Sequence, residues 1–316
     1  MLRMLIDRLA FSILALLFVG LLLFVLTRGV PGSPARVALG LDATDTQIAQ
    51  FEKDHGLDRP VAEQYIRWLG QLVLHGDFGR SFVTGRSMNA LLAETLPITL
   101  ELVLFAFAFA VVVALPIGVL SAVYEGSWID HAARIIAVIG VSVPGFWLGL
   151  MLIRFPAVEF GWFPPGGFVP LSDGIVAHLQ SIALPAFALG VYYIAILSRM
   201  TRSGLVETLG SEYVRTARAL GLPRGRVLWY ALKNALVPVV SVGAMSFGYM
   251  FGWALIVEYL FNIPGMSNAL LTAVGQRDYF TMQAVVYVFT IVFIVSNLAA
   301  DLLNRQLNPK LATAQR

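Results

Sequence analysis

The chain has 316 residues, of which 58% are hydrophobic and 13% are charged, and its formal net charge is +3. A soluble domain of this length carries about 25% charged residues, so the composition excludes an ordinary soluble fold and predicts a polytopic membrane protein. The sequence contains no cysteine, which excludes disulfides, thiolate catalysis and cysteine metal sites.

Six apolar runs of membrane-spanning length follow one another along the chain. A transmembrane helix needs about 20 apolar residues. The predicted spans, in chain order, are 9–27, 97–123, 132–155, 181–200, 235–257 and 282–303. The first run is too long for the apolar region of a cleavable signal peptide and lacks a small-residue cleavage site, so we interpret it as a signal anchor. The pattern predicts an all-α membrane protein with six transmembrane helices.

The placement of basic residues favours a cytoplasmic location for both termini. In that orientation the short outer loops hold only Arg154 and Arg277. The densest basic cluster then faces the cytoplasm and consists of Arg199, Arg202, Arg215, Arg218, Arg224, Arg226 and Lys233. Lysine and arginine are enriched in cytoplasmic loops, so this bias sets the predicted topology.

The long outer segment, residues 28–96, contains two helical patterns. The first runs over 44–55, and Pro60 opens the second, which ends at Gly76. Proline at a helix start and glycine just past its end are the expected asymmetry. The second helix carries Tyr65, Trp68, Leu69 and Leu72 near one face. We expect a small helical cap whose aromatic face lies on the membrane surface or on the transmembrane bundle.

The segment between the fourth and fifth spans is basic and amphipathic. From Ser211 onward, one helical face carries Tyr213, Val214, Ala217 and Leu220. Gly221 suits the left-handed position after a helix end, and Pro223 can begin a second helix that runs into the fifth span. Such a unit can lie against anionic lipid headgroups or dock in a groove of a cytosolic protein. The glycine elbow and the small Ala217 and Ala219 favour docking, because lipid does not require such close approach.

The amino-acid sequence of this segment resembles a known motif. Residues 212–222 read Glu-Tyr-Val-Arg-Thr-Ala-Arg-Ala-Leu-Gly-Leu, and residues 234–238 read Asn-Ala-Leu-Val-Pro. Both resemble the EAA loop of inner-membrane permease subunits of ABC importers, in the dipeptide, oligopeptide and nickel family. The chain differs from the common pattern at Leu220, where lysine is frequent, and in a slightly shorter connection after Gly221. Other similar segments lie at 56–60, 76–81, 96–102, 258–266, 277–279 and 308–310.

The resemblance implies a type I ABC importer permease fold with an outer helical cap and a cytoplasmic coupling helix. Its organisation would be an N-terminal transmembrane helix at 1–27, an extracytoplasmic helical segment at 28–96, a core permease domain at 97–303 with the coupling loop at 201–234, and a cytoplasmic tail at 304–316. The implied location is the bacterial inner membrane, with both termini in the cytoplasm.

The resemblance also implies partners and a transport function. The chain would form the path for di- or oligopeptides that an extracytoplasmic binding protein delivers, with nickel chelates, glutathione or another peptide-like solute as alternatives. A second homologous permease, expected as a heterodimer partner, and two cytosolic ATPase subunits would complete the transporter; no nucleic-acid partner is implied. No G-x-x-x-x-G-K-[ST] phosphate loop occurs in the sequence, so ATP and magnesium would bind the ATPase subunits. We therefore expect a subunit that is not itself an enzyme and holds no cofactor.

The implied coupling interface comprises Glu212, Tyr213, Arg215, Thr216, Ala217, Arg218, Leu220 and Gly221. Tyr213, Ala217 and Leu220 would pack in the ATPase groove. Arg215 and Arg218 would meet acidic or carbonyl groups at its rim.

Three residues are weaker candidates for the translocation path: Glu101, Tyr192 and Tyr193. Glu101 is costly inside a membrane, but it could instead be an acid at a helix N-terminus that interacts with the helix dipole. The tyrosines could instead serve aromatic packing. The four histidines show no metal-ligand spacing, so no metal site is predicted.

Small residues recur every four positions in the fifth span, at Ala244, Gly248 and Gly252. This spacing allows close helix packing within the chain or at a subunit interface.

Two other classes of function are disfavoured. A membrane enzyme would need catalytic groups that converge at one depth, and none is evident. A channel or an ATP-independent secondary transporter would be expected to show intramembrane charges or inverted repeats, and neither stands out.

Overall fold

A computed structural model describes residues 2–29, 34–40 and 42–307, with side chains described at 8–26, 35–40 and 42–303. The motif at 308–310 and the predicted tail beyond Leu307 lie outside these residues. The described chain folds into α-helices, a π-helical segment (Ile153–Glu159) and a short 3-10 turn (Leu171–Asp173). The α-helices, in chain order, are α1 (Leu2–Gly29), α2 (Pro34–Leu39), α3 (Asp45–Asp54), α4 (Val61–His75), α5 (Met88–Val123), α6 (Trp128–Ser142), α7 (Gly145–Leu152), α8 (Ile175–Leu209), α9 (Glu212–Ala219), α10 (Arg224–Leu260), α11 (Met266–Gln276) and α12 (Tyr279–Leu307). The π-helical segment continues α7.

Five described helices are long and apolar enough to cross a membrane. They coincide with the predicted first, second, fourth, fifth and sixth spans, in α1, α5, α8, α10 and α12. Three of them, α5, α8 and α10, have 36, 35 and 37 residues. At 1.5 Å per residue each is more than about 50 Å long, well beyond the roughly 30 Å hydrocarbon core of a bilayer. Their ends therefore extend beyond what spanning alone requires.

The predicted third span, 132–155, is not one continuous helix. It is a bent pair, Trp128–Ser142 and Gly145–Glu159, that turns by 97°, so the described chain has five spans, or six if this pair counts as one. Val143 adopts an extended conformation with φ −75° and ψ 123°. The cause is Pro144, which has no N–H to donate and disfavours helical geometry in the residue before it.

The outer segment belongs to a compact unit formed by residues 1–100 and 263–292. Its predicted helices are confirmed: Thr44 caps α3 with a capping box, and Gly76 ends α4 in the left-handed conformation. The aromatic face of α4 packs on the transmembrane bundle, where Phe24, Trp68 and Tyr287 form a buried cluster. Of the two positions expected for this face, the bundle is the one found.

The last outer loop joins the same unit through a buried carboxylate. Asp278 is 4% exposed. It accepts hydrogen bonds from Ser81 Oγ at 2.6 Å and Thr281 Oγ1 at 2.6 Å. These contacts hold the loop before α12 against the turn at residues 80–87, which follows α4.

The second compact unit is formed by residues 101–262 and 293–316, and α8 runs through its core. Close approach to α8 depends on glycine: a β-carbon on Gly204 would lie 3.0 Å from Ala235 O of α10. The small-residue pattern of the fifth span also serves packing within the chain, since a β-carbon on Gly248 would lie 3.0 Å from Phe293 Cδ2. In the described structure, no atom other than those of its own helix backbone and chain neighbours lies within 4 Å of a β-carbon on Gly252, so only part of the small-residue pattern serves packing within the chain.

Candidate coupling site

The helix α9 begins after Ser211 and ends before Gly221, and both boundary residues have a well-defined backbone geometry. Ser211 has φ −71° and ψ 155°, the extended geometry of a residue before a helix, and Ser211 Oγ donates to Thr208 O at 2.5 Å. At the other end Gly221 has φ +77°. Gly221 N–H donates to Arg218 O at 3.0 Å and Leu222 N–H donates to Ala217 O at 3.2 Å. This pair of hydrogen bonds is the Schellman motif, so the predicted glycine elbow is confirmed.

The elbow leads directly into α10. Pro223 precedes its first residue, Arg224, and the helix continues without a break to Leu260. Any force on the elbow is therefore applied to the end of a single 37-residue helix.

One face of α9 packs against its own chain. Val214 is 1% exposed. It belongs to a buried cluster with Ala122 of α5, Leu205 of α8, and Val227, Ala231 and Ala235 of α10. Ala217 and Leu222 pack against the same cluster. The helix is thus seated on the ends of three long helices.

The opposite face of α9 is exposed. Leu220 is 75% exposed and Tyr213 is 44% exposed. Glu212, Arg215, Thr216 and Arg218 are also exposed. Arg215 Nη1 lies 3.0 Å from Glu212 Oε1, and both side chains remain in solvent. A surface pair of this kind contributes little to stability, so these charges stay available to a partner.

The predicted apolar face is therefore split in two. Val214 and Ala217 point toward the chain, whereas Tyr213 and Leu220 point away from it. Ala217 contributes less to an outward surface than the sequence suggests. Tyr213 is nevertheless fixed, since Asn234 Nδ2 of α10 donates to its hydroxyl at 2.8 Å. This bond gives a physical role to the asparagine at the start of residues 234–238.

A buried ion pair supports the same region, and the sequence did not reveal it. Asp130 at the start of α6 is 1% exposed. Arg202 of α8 donates to both carboxylate oxygens, through Nε at 2.6 Å and Nη2 at 2.9 Å. Ser121 Oγ and Gly126 N–H complete its hydrogen bonds at 2.7 and 3.0 Å. The pair ties the ends of α5, α6 and α8 together.

Only half of this pair could have been found from sequence. Ser127 and Asp130 have the spacing that marks a helix start, and Ser127 Oγ does accept from Asp130 N–H at 3.4 Å. The partner Arg202 lies 72 positions away, and no local pattern connects them.

The three path candidates occupy two separate places. Tyr192 and Tyr193 pack edge to face at 5.2 Å. Both line a cavity of about 140 Å³ beside the Pro144 bend. Tyr193 is 3% exposed and Tyr192 40%, so Tyr192 is the one that a solute could reach.

Glu101 makes a different contact. Its Oε1 lies 3.0 Å from Nε2 of His178, a side chain that is 1% exposed. Since α5 begins at Met88, Glu101 lies several turns inside the helix. The interpretation of Glu101 as a helix N-terminal acid is wrong, because that effect fades within the first turn. Among the described residues, no group of three or more His, Asp or Glu side chains could hold a metal ion.

Comparison with protein families decides the identity of the chain. Residues 114–313 match the family described as binding-protein-dependent transport system inner membrane component, and residues 1–103 match the N-terminal family of the same membrane component. The chain belongs to this permease family. The predicted family and fold class are thereby confirmed.

Relatives of this permease cover almost its whole length. It is 36% identical over 310 residues to the oligopeptide transport system permease protein AppB of Bacillus subtilis, covering 97% of this chain and 98% of that protein. It is 37% identical over 310 residues to the glutathione transport system permease protein GsiC of Pectobacterium atrosepticum, covering 98% of each chain.

The permease fold is also found in solved structures. An inward-facing structure of the MetNI methionine ABC transporter matches with a TM-score of 0.57 and 22% identity, covering 70% of this chain and 98% of that one. A structure of an amino acid ABC transporter with histidines matches with a TM-score of 0.52 and 16% identity, covering 69% and 94%. At these identities the likeness shows the fold alone.

The seating of α9 in this permease depends on Val214. We expect Val214→Ala to speed hydrogen exchange of the α9 amides about tenfold, because it removes two buried methyl groups worth roughly 0.8 kcal/mol each. Exchange measured by mass spectrometry over residues 212–219 tests this. Leu220→Ala, at a side chain that is 75% exposed, is the control and should leave the rate unchanged. Equal rates in both variants would contradict the role of Val214.

Proposed function

We propose that this permease forms the transmembrane path of an ATP-driven importer and that α9 docks on a separate ATPase subunit. The observation that carries the proposal is the two-sided seating of α9. Val214 fixes one face to three long helices, while Tyr213, Arg215, Arg218 and Leu220 are presented outward. A short helix with an apolar centre and charged surroundings suits docking in a protein groove.

The packing suggests how work done by the ATPases reaches the membrane. Two ATPases that close on ATP would draw the docked helices together. Because α9 is seated on the ends of α5, α8 and α10, its displacement would move these helices as a block. The Asp130–Arg202 pair keeps α6 within that block. ATP and magnesium would bind to the ATPase subunits. This chain would be non-catalytic.

The remaining features of the transporter follow from the same proposal. An extracytoplasmic binding protein would deliver the solute, and a second, related permease would complete the path as a heterodimer. Both termini and the basic segment with α9 would face the cytoplasm, in keeping with the distribution of arginine. The coupling loop would span 201–234 within a core domain of 97–303.

We propose a di- or oligopeptide as the cargo. The support is the pair of relatives named for oligopeptide and glutathione transport, since glutathione is itself peptide-like. Nickel chelates would use the same architecture. Of the three path candidates, Tyr192 and Glu101 are proposed for contact with the cargo, and Tyr193, which is 3% exposed, is proposed to support Tyr192 from behind.

The docking proposal is tested with Arg218→Glu and Gly221→Trp in the assembled transporter. Apart from its chain neighbours, no atom of the described residues lies within 4 Å of a β-carbon on Gly221. A large side chain there would therefore meet a docked partner without clashing with the permease, at a backbone cost of about 1–3 kcal/mol for the left-handed conformation. We expect peptide uptake to fall at least about tenfold in both variants, because Arg218→Glu removes an interfacial charge contact and Gly221→Trp blocks the close approach of the partner.

The controls separate docking from insertion. Lys53→Glu, an exposed charge reversal on α3, should leave uptake unchanged. Co-purification of the ATPases and the amount of inserted permease are measured for every variant. Normal uptake by Gly221→Trp with the ATPases still bound would overturn the docking proposal.

A further inference from the structure

The outer segment lines a solvent-open basic cavity that the transport proposal does not use. It has a volume of about 300 Å³ and is lined by Arg59, Arg67 and Arg80, together with Gln64 and aromatic side chains that include Phe24 and Trp68. We call it the arginine cavity. All of its lining residues belong to the compact unit formed by 1–100 and 263–292.

Two of the guanidinium groups converge on one point. A β-carbon on Gly56 would lie 3.3 Å from Arg67 Nη1 and 3.6 Å from Arg59 Nε. Arg59 forms an ion pair with Glu63. Within the part of the chain that the structure describes, neither Arg67 nor Arg80 has an ion-pair partner. The lining also contains Asp77, whose Oδ1 accepts from Gly79 N–H at 2.9 Å. The cavity therefore retains positive charge that an anion could neutralise.

One residue of the cavity lining, Gln64, carries a buried acceptor. Gln64 Nε2 donates to Leu57 O at 3.0 Å and to Arg59 O at 2.7 Å, which fixes the orientation of the amide. Gln64 Oε1 is buried and, within the described structure, has no hydrogen-bond partner. Buried acceptors are nearly always satisfied, so the site calls for a ligand that brings a donor as well as an anion.

The position of the cavity indicates where such a ligand comes from. The helix α4, which carries Gln64 and Arg67, exposes Ile66, Val73 and Leu74 at 69%, 71% and 77%. Exposed apolar side chains on a helix packed beside a candidate span can be covered by lipid acyl chains. The cavity wall residue Phe24 lies at the end of the first candidate span, Arg8–Leu26. The arginine cavity thus lies beside the end of a candidate span, the level at which lipid headgroups would be expected.

We propose that the arginine cavity binds a phospholipid headgroup that carries both a phosphodiester and a primary ammonium. The phosphate would meet Arg67 and Arg80, since guanidinium groups bind phosphate through paired charge-assisted hydrogen bonds. The ammonium would donate to Gln64 Oε1. A trimethylated ammonium has no N–H to donate and would leave that acceptor unsatisfied. This inference requires only that the chain is embedded in a membrane, and it does not depend on ATPase docking.

The test is a lipid titration of the purified, delipidated transporter, followed by native mass spectrometry. Phosphatidylethanolamine and phosphatidylcholine with identical acyl chains are compared. We expect phosphatidylethanolamine to bind about tenfold more tightly, the factor for one charge-assisted hydrogen bond. Arg67→Gln and Arg80→Gln should each weaken its binding at least about fivefold, at unchanged melting temperature. Arg36→Gln, an exposed arginine of the outer segment paired with Asp45, should have no effect.

Three results would overturn the proposal. Equal affinity for the two lipids would remove the ammonium contact. Unaltered binding in both Arg67→Gln and Arg80→Gln would remove the phosphate contact. Displacement of the lipid by millimolar inorganic phosphate would show a site for free phosphate instead of a headgroup. Peptide uptake is recorded in parallel, so that a failure of the lipid proposal is seen separately from a failure of transport.

Discussion

Replacement of Asp130 by alanine is expected to lower the free energy of unfolding of the permease by about 3 kcal/mol. Removal of one partner from a buried ion pair costs about 3–5 kcal/mol, because the other charge is left without compensation. The lower end applies here, since the side chain of Arg202 is 21% exposed and can recover some hydration. The change also leaves Ser121 Oγ and Gly126 N–H without their acceptor.

Thermal melting of the purified transporter measures this effect. Asp173→Ala, an exposed aspartate in the turn before α8, is the matched control and should melt like the unaltered protein. A double replacement, Asp130→Ala with Arg202→Met, should recover part of the loss, because it removes the stranded charge. If Asp130→Ala melts like the control, or if the two losses simply add, the pair does not hold these helices together.

The location of this pair makes its loss relevant to coupling. Asp130 joins the ends of α5, α6 and α8, and α9 is seated on α5, α8 and α10. If α5, α6 and α8 are less firmly joined, a displacement of α9 would shift these ends without moving the membrane-spanning parts. In the docking function that we propose, the transmission of work would therefore depend on the same contacts as the stability of α5, α6, α8 and α10.

Local signals explain what could be predicted from the sequence. The Gly221 elbow, the capped helix α3 and the helix α4 each depend on residues a few positions apart, so short motifs were sufficient. The aromatic face of α4 was also visible as a repeat of Tyr65, Trp68 and Leu72. Its partner Tyr287 was not, because packing between distant elements leaves no periodic trace.

Two sequence predictions differ from the structure, the continuous third span and the start of α5, and both differences depend on surroundings that short motifs do not show. Pro144 was visible inside the third apolar run, but a proline within a transmembrane helix is often tolerated because neighbouring groups satisfy the backbone. Only the structure shows that the chain turns by 97° there. The start of α5 at Met88 was missed because its first turns carry Asn89 and Glu94 and do not resemble a span. That early start is what separates Glu101 from the helix end and leaves it beside His178.

Among replacements of the described glycines by alanine, Gly118→Ala is expected to have the largest effect. A β-carbon on Gly118 of α5 would lie 2.6 Å from Thr201 Cβ and 2.7 Å from Ser198 O of α8. Both atoms are fixed to the backbone of α8, so no side-chain rotation can relieve the overlap and the two helices must separate. Overpacking of this kind lowers the free energy of unfolding by about 1–3 kcal/mol. The larger replacement Gly118→Leu should prevent the contact between α5 and α8 altogether.

Gly70→Ala distinguishes overlap from the general effect of replacing a helical glycine. Gly70 lies within α4, and among the described residues outside its own helix backbone and chain neighbours no atom lies within 4 Å of a β-carbon there. Alanine should therefore be neutral or stabilise by about 0.5–1 kcal/mol. Melting temperatures of the two alanine variants should therefore move in opposite directions. A normal melting temperature for Gly118→Ala would mean that α5 and α8 are farther apart than the structure shows. Since Gly118 and Ser121 lie on the same stretch of α5, that result would also call into question the geometry that brings Arg202 to Asp130.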